Sequence, residues 1–291
     1  MSEVTVKSKE HSLLPPPQGG APVLLWDLAA FELERRTEGR PRGVFPVLRH
    51  LLVPSGVRRL SAFAGFHQGE DCFIIGNGPS LNRTDLSALA GKHCFGLNKI
   101  FLMQRRQPID LSYLVSVNPF VIAQSMEKFA EMEVTTFLPR EYCRREARRI
   151  PRFQGIRVRD RFRFNTSMAG NFGQGHTVTF VALQLAFIMG FERVFLVGVD
   201  HSFSQQGRAN EIQKMETADM NHFDPEYFQG NLWHLADLES SEIAYRIAEL
   251  EYRRAGRRVF DATVGGHLEI FEKIDFAAAA GMARNRQRDP L

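Results

Sequence analysis

Short apolar runs, separated by stretches long enough to hold a helix, most restrict how this chain of 291 residues can fold. The first run is Cys72-Phe73-Ile74-Ile75, which a glycine ends, as is typical of a strand buried on both faces of a parallel sheet. The other predicted strands are His93–Leu97, Tyr113–Val117, Thr135–Leu138, Val194–Val199 and Arg258–Phe260. This repetition predicts an α/β fold with a Rossmann-like, doubly wound, mostly parallel sheet.

Helical stretches connect several of these strands. The predicted helices are Pro119–Met132, Thr177–Met189 and Asp237–Ala255. Strands and helices together predict a Rossmann-like catalytic domain over residues 67–275. The polar, aromatic and histidine-bearing stretch at about 201–236 is expected to form a lid over it.

The two ends of the chain depart from this alternation. Residues 1–22 are polar and end in a proline-rich stretch, which predicts a disordered tail. Residues 23–66 contain helix-like stretches interrupted by glycine and proline, which predicts an accessory N-terminal helical extension. Residues 276–291 are expected to form a C-terminal tail.

The net charge of +4 conceals a basic stretch from Arg140 to Arg163, which contains ten arginines and three acidic residues. A solvated helix face followed by an exposed loop is the simpler explanation. The alternative is peripheral contact with a polyanion or with an anionic membrane surface, such as the inner face of the cell membrane. No nucleic-acid-binding motif accompanies these arginines, so we expect no nucleic-acid partner.

Composition also bears on where the protein works. No apolar stretch reaches the roughly 18–20 residues that span a bilayer, and the N-terminus lacks the order of a signal peptide, so we expect a cytoplasmic protein. The three cysteines have no C-x-x-C spacing, which indicates neither a disulfide framework nor a zinc site. Whether the chain is a monomer or a homo-oligomer stays open.

The strongest local signal is the sequence GNGPS at 76–80, directly after the first strand. Gly76 and Gly78 allow positive φ and close backbone approach, a helix start would present N–H groups, and Asn77 and Ser80 add neutral hydrogen-bonding groups. Ligands bind at the carboxyl ends of strands in open α/β sheets. The turn therefore predicts a site for a phosphate-bearing ligand, a nucleotide above all, and a tight turn without a ligand is the alternative.

Polar side chains also follow other predicted strands. Asn98 and Asn118 end the second and third strands, so with Asn77 they should converge on one crevice and offer donors and acceptors to a base or a sugar. Asp200 ends the strand Val194–Val199 and should face the same crevice. Its carboxylate is suited to accept ribose hydroxyls, to hold magnesium or to orient a histidine, and the sequence does not choose among these roles.

The predicted lid carries the segment Asn221 to Phe228, in which a histidine stands among hydrogen-bonding groups. His222 is our candidate for a general base, because imidazole exchanges protons near neutral pH. His201, His176 and His234 are its competitors among nine histidines.

Four motifs, taken together and in order, resemble one known family. They are Cys72–Ser80, Phe95–Asn98, Gly190–Asp200 and Asn221–Phe228. On them the chain is identified, over about residues 60–275, as a member of the MptE-like family, named after an archaeal 6-hydroxymethylpterin diphosphokinase. The order of the motifs is also similar to that of small bacterial sialyltransferases, which transfer sialic acid from a CMP donor on a Rossmann-like fold without a metal.

The resemblance to the sialyltransferases implies roles for individual residues. The residues implied to bind the CMP donor are Gly76, Asn77, Gly78, Ser80, Asn98, Asn118, Thr177 and Asp200. His222 is implied as the base that deprotonates the acceptor hydroxyl, and Asp200 is the second catalytic candidate. Those enzymes use tyrosines after the fifth-strand aspartate to help the phosphate leave, whereas this chain has His201-Ser202-Phe203, so His201 or Tyr227 is the hypothetical substitute.

Three functions therefore stand as hypotheses. The favoured one is a glycosyltransferase that moves a CMP-activated acidic sugar to a surface-glycan acceptor, for which no metal cofactor is expected. The second is a diphosphokinase that transfers diphosphate from ATP to 6-hydroxymethylpterin with magnesium, for which Asp200 and Asp224 are the candidate metal ligands. The third is a nucleotide-binding module without catalytic activity.

Overall fold

The structure is a computed structural model that describes residues 60–140, 149–204 and 207–286. Its strands are β1 (Asp71–Ile75), β2 (His93–Leu97), β3 (Tyr113–Val115), β4 (Thr135–Pro139), β5 (Phe153–Ile156), β6 (Val158–Arg159), β7 (Phe172–Gly173), β8 (Arg193–Val197), β9 (Ile212–Lys214), β10 (Leu232–His234), β11 (Arg258–Asp261) and β12 (Glu272–Lys273). Its α-helices are α1 (Pro119–Glu131), α2 (Val178–Met189), α3 (Leu238–Arg254) and α4 (Phe276–Met282). Between β1 and β3 the chain forms short 3-10 helices at Pro79–Arg83, Leu86–Leu89 and Ile100–Arg105.

Eight of these strands form one sheet in the order β12-β11-β8-β1-β2-β3-β4-β5. Every neighbouring pair in it runs parallel. The chain places β2 to β5 on one side of β1 and then β8, β11 and β12 on the other side. The strand order thus reverses between β1 and β8, where open α/β sheets form their ligand crevice. The predicted Rossmann-like α/β fold is confirmed.

A row of stacked phenylalanines fixes the register of the central strands. The ring of Phe73 in β1 stacks on Phe195 in β8 with centroids 5.1 Å apart, and Phe195 stacks on Phe260 in β11 at 5.3 Å. These residues are also register partners in the sheet, so their side chains lie on the same face. The apolar helix α2 contacts β1, β2 and β3, which explains why β1 is buried along its whole length.

Three regions differ from what the sequence predicts. Pro79–Arg83, after the GNGPS turn, is a 3-10 helix of five residues and not the start of an α-helix. Within the basic stretch, β5 extends the sheet beside β4 instead of lying in a loop. The predicted C-terminal tail contains α4, with Phe276 and Ala279 buried, so this part of the tail belongs to the folded core.

The predicted N-terminal tail, and residues 23–59 of the predicted helical extension, lie outside the described residues. Residues 60–66 are described; they begin with a helical turn in which Leu60 is buried. None of the helices in the described part of the chain combines the length and the apolar character needed to cross a membrane.

Candidate functional site

A cavity of about 220 Å³ opens at the carboxyl ends of the central strands, between the GNGPS turn, the start of α2 and residues of the predicted lid. Predicted site residues that line it are Gly76, Asn77, Gly78, Asn98, Asn118, Thr177, Asp200, His201, His222 and Tyr227. The parallel topology brings the glycines, the asparagines and Asp200 together because the carboxyl ends of their strands lie at one edge of the sheet. Ser80 is the predicted site residue that does not line the cavity.

The glycines of the GNGPS turn let β1 and β8 come close beyond the sheet. Gly78 N donates to Gly198 O at 2.9 Å. A Cβ on Gly76 would lie 2.3 Å from Gly198 O, and one on Gly78 would lie 1.8 Å from Asp200 Oδ2. The positive φ expected in the turn occurs instead at Gly198, where φ is +70°, whereas Gly78 has φ −69°. Steric crowding by β8, and not a left-handed backbone, therefore explains both glycines.

Asp200 is held by the residue that ends the GNGPS turn. Ser80 is fully buried; its N–H donates to Asp200 Oδ1 at 3.0 Å and its hydroxyl to Oδ2 at 2.6 Å. Burial raises the pKa of Asp200, although the two Ser80 hydrogen bonds and nearby Arg83 act in the opposite direction. The geometry gives Ser80 a positioning role, because its donors are directed at Asp200 and not into the cavity.

His222 forms a buried pair with a carboxylate. Its Nδ1 lies 2.8 Å from Asp219 Oδ2, and the Asp219 side chain is 0% exposed. The imidazole stacks on Tyr227 with centroids 4.0 Å apart and an angle of 3° between the rings. A carboxylate that accepts from Nδ1–H leaves the lone pair on Nε2, which is the arrangement that a histidine base needs. The spacing Asp219-x-x-His222 was the sequence signal that could have revealed this carboxylate.

Hydrogen bonds tie the segment around His222 to the sheet. Phe223 N donates to Asn77 O at 2.9 Å, and Asn82 Nδ2 donates to Phe223 O at 2.9 Å. Tyr227 is 1% exposed, and its hydroxyl accepts from Lys99 N at 3.2 Å. These contacts make Tyr227 a support for the ring of His222.

The three asparagines meet at the cavity as predicted, and each also has a partner in the protein. Asn77 Nδ2 donates to Leu97 O at 3.0 Å, and Asn98 Oδ1 accepts from Ser116 Oγ at 3.0 Å. Asn118 caps α1, with Oδ1 accepting from Phe120 N at 2.9 Å. Asn77 Oδ1 is buried and has no hydrogen-bond partner among the described residues.

The amino end of α2 forms another wall. Thr177 caps this helix of twelve residues, and its Oγ1 accepts from Thr179 N at 3.3 Å. The same hydroxyl lies 3.2 Å from the hydroxyl of Tyr245, whose pKa burial raises. Helix amino ends attract anions through their N–H groups and the helix dipole.

Contacts with carboxylates hold two further histidines at the cavity. His201 Nε2 lies 3.0 Å from Glu242 Oε1 in α3, and His201 has the unusual φ of +53°. His176 Nδ1 lies 3.3 Å from Asp237 Oδ2 at the start of α3. Sequence reasoning missed Tyr245 and Asp237, which line the cavity, and Asp219, which contacts His222. Helix α3 reaches the cavity only through tertiary packing.

The second carboxylate proposed for magnesium is directed elsewhere. Asp224 Oδ1 accepts from Glu226 N at 2.9 Å, and Oδ2 lies 3.4 Å from Arg106 Nη2. Asp224 does not line the cavity. Asp224 is therefore not placed to bind a cation together with Asp200.

No protein-family model matches this sequence, and no curated protein matches it either. Among solved structures, the chain is similar in fold to the MAf glycosyltransferase from Magnetospirillum magneticum AMB-1, with a TM-score of 0.50 and 14% identity over 80% of this chain. The match covers 39% of that larger protein. The sialyltransferase CstII from Campylobacter jejuni, solved with cytidine-5'-monophosphate, matches 76% of this chain and 89% of its own length with 11% identity and a TM-score of 0.33.

Proposed function

We propose that this chain is a glycosyltransferase that moves a sugar from a CMP-activated acidic donor to a hydroxyl of a surface-glycan acceptor. The observation that carries the proposal is the Asp219–His222 pair, which presents an imidazole base in the cavity at the carboxyl edge of a Rossmann-like sheet. The fold is similar to that of a glycosyltransferase, which is consistent with the proposal.

In the proposed reaction the acceptor oxygen attacks the anomeric carbon of the donor sugar. A bond forms between that carbon and the acceptor oxygen, while the bond from the carbon to the donor phosphate breaks and CMP leaves with the electron pair. His222 Nε2 takes the proton of the acceptor hydroxyl. Asp219, bonded to Nδ1 at 2.8 Å, holds the ring in the required tautomer and stabilises the imidazolium that forms.

The donor would lie along the strand ends. Asn77, Asn98 and Asn118 line the cavity, and their amide groups would bind the ribose or the base. The amino end of α2, capped by Thr177, suits the departing phosphate because its N–H groups and dipole favour negative charge. His201 also lines the cavity and is our candidate for assisting the leaving group.

The acceptor side of the proposal involves the basic stretch. Arg152, Arg157 and Arg161 are exposed in the described part of this stretch. An anionic glycan, or an acceptor linked to an anionic membrane, would be attracted to this charge.

Ligand binding is the first test. The free energy of unfolding of the purified chain would be measured with CMP, CDP, UDP, GDP and ATP, each with and without magnesium, because a ligand that binds the folded state raises it. Stabilisation by CMP without magnesium supports the proposal. Stabilisation by ATP only with magnesium would replace it with the diphosphokinase.

Turnover is the second test. CMP release from CMP-activated sialic acid would be followed with a glycan acceptor, for the native chain and for His222→Gln. His267→Gln is the matched control, because this histidine is exposed and does not line the cavity. Loss of CMP release in the first variant alone supports the base. A chain that binds CMP but releases none from any CMP-sugar would instead be a nucleotide-binding module.

A further inference from the structure

A second cluster of chemically active side chains lies at the opposite edge of the sheet. His67 and Glu70 precede β1, and His93 is the first residue of β2. Their potential ligand atoms all lie within 4.8 Å of one another. Among the described residues this is the one group of three histidine, cysteine or acidic side chains close enough to hold a metal ion.

The three donors meet at one carboxylate. His67 Nδ1 lies 2.5 Å from Glu70 Oε2, and His93 Nε2 lies 3.3 Å from the same oxygen. The side chains are 3%, 16% and 5% exposed for His67, Glu70 and His93, so only the carboxylate reaches the surface to any extent. Ligand atoms bound to one tetrahedral zinc ion lie about 3.4 Å apart. A rotation of the Glu70 carboxylate is therefore the main adjustment that a bound ion would require.

The other nitrogen of each imidazole faces a hydroxyl group. His67 Nε2 lies 2.5 Å from the hydroxyl of Tyr113, and His93 Nδ1 lies 3.4 Å from Ser112 Oγ. Metal-binding histidines commonly donate their second N–H to a carboxylate, a backbone carbonyl or water, which fixes the tautomer and turns the lone pair toward the metal. A hydroxyl oxygen can accept the same bond. The heavy atoms also fit an arrangement without metal, in which His67 donates to Glu70 and the hydroxyls donate to the two imidazoles.

We propose that His67, Glu70 and His93 form a binding site for a transition-metal ion, with zinc as the best match. Two imidazoles and one carboxylate are a donor set that zinc uses in proteins, whereas magnesium and calcium prefer oxygen donors. Phe191 stacks on His67 with centroids 4.4 Å apart and shields the site from water on that side. The ion would tie the segment before β1 to the amino ends of β1 and β2, away from the cavity.

The test uses the untagged full chain after dialysis against a chelator. Zinc and cobalt would each be titrated into it, with binding followed by calorimetry and the cobalt complex by its visible absorption. We expect each chain to bind one metal ion saturably, and we expect the cobalt complex to show the strong visible bands of four-coordinate cobalt. Magnesium at the same concentration should bind neither saturably nor competitively. Absence of saturable binding would leave the proton-linked arrangement as the correct one.

Variants locate the ion. His93→Gln should abolish the saturable metal binding, whereas His267→Gln, which removes an exposed histidine, should keep it. Equal binding by the two variants would overturn the proposal. Tyr113→Phe removes one hydroxyl and keeps all three ligands, so it serves if His93→Gln does not fold. We expect it to weaken zinc binding by about 10–100-fold, and unchanged affinity would contradict the role of Tyr113 in orienting His67.

Discussion

Replacing Asp219 with asparagine tests the proposed base without touching it. Each carboxylate oxygen of Asp219 accepts one hydrogen bond. Oδ1 accepts from Asn221 N at 2.9 Å, and Oδ2 accepts from His222 Nδ1 at 2.8 Å. If the amide oxygen of Asp219→Asn keeps the bond from Asn221, its NH₂ group faces His222. That group donates to Nδ1, which moves the ring proton to Nε2, and Nε2 can then no longer accept the proton of the acceptor hydroxyl.

The size of the effect follows from the bond that is lost. A hydrogen bond to a buried charged group contributes about 1.5–3 kcal/mol, which corresponds to roughly a 10–150-fold change in rate. The wrong tautomer adds to this loss, and in the serine proteases an equivalent replacement lowers kcat about 10⁴-fold. We therefore expect kcat of Asp219→Asn to fall by at least about tenfold. KM for the donor should change little, because Asp219 is buried behind His222.

The assay is CMP release at saturating donor and acceptor, with Asp224→Asn as the matched control. Asp224 is another buried carboxylate of the same segment, but its partners are Glu226 N and Arg106 and not His222. A loss of kcat confined to Asp219→Asn, with both variants folded, supports the pair. Native kcat in folded Asp219→Asn would refute the reasoning, and an equal loss in both variants would show that only the stability of the lid matters.

Three further predictions concern the turn, a buried lysine and the basic stretch. Gly78→Ala would place a Cβ 1.8 Å from the nearest carboxylate oxygen, so urea denaturation should show a loss of about 1–3 kcal/mol; Gly281→Ala, with open space around it, should show none. Burial lowers the pKa of Lys99 to about 8. Between that value and the ordinary lysine pKa, the unfolded chain holds a proton that the folded chain has lost. The free energy of unfolding should therefore rise with pH through this window, and it should not rise in Lys99→Met. Arg157→Ala combined with Arg161→Ala should weaken sedimentation with phosphatidylserine vesicles by roughly 30-fold, at about 1 kcal/mol per arginine; unchanged sedimentation would exclude these arginines from the contact.

The pattern of apolar runs was sufficient to predict the sheet because its physical cause is local. A parallel strand covered on both faces is mostly apolar, and β1, β2 and β8 are apolar after their first residue. The sequence does not predict β5 because the strand FQGI is short and half-buried and has arginines on both sides of it. The sequence does not predict helix α4 because a run of alanines shows no apolar periodicity, although Phe276 and Ala279 pack into the core.

The sequence predicted the polar residues that line the cavity, at strand ends and in the segment around His222, but not the contacts that hold these residues in place. Asn77, Asn98 and Asp200 follow strands, so the topology alone brings them to one edge. Ser80 was expected to face a ligand, but the approach of β8 directs its two donors to Asp200. The spacing Asp219-x-x-His222 places a carboxylate near His222, but contacts with the turn hold this segment at the cavity, and the spacing does not encode them.

The short parallel strands place the two proposed sites at opposite ends of one sheet. All the carboxyl ends meet at the edge where Asn77 and Asp200 lie, and all the amino ends meet at the edge where His93 begins β2. A strand of five residues spans about 17 Å, so the two sites are close in space yet separated by buried apolar side chains. A metal ion at the amino edge would therefore act on the cavity through the rigidity of β1 and β2 and not by contact with a ligand there. On this argument, removing the ion should lower the stability of the sheet before it changes the proton transfer at His222.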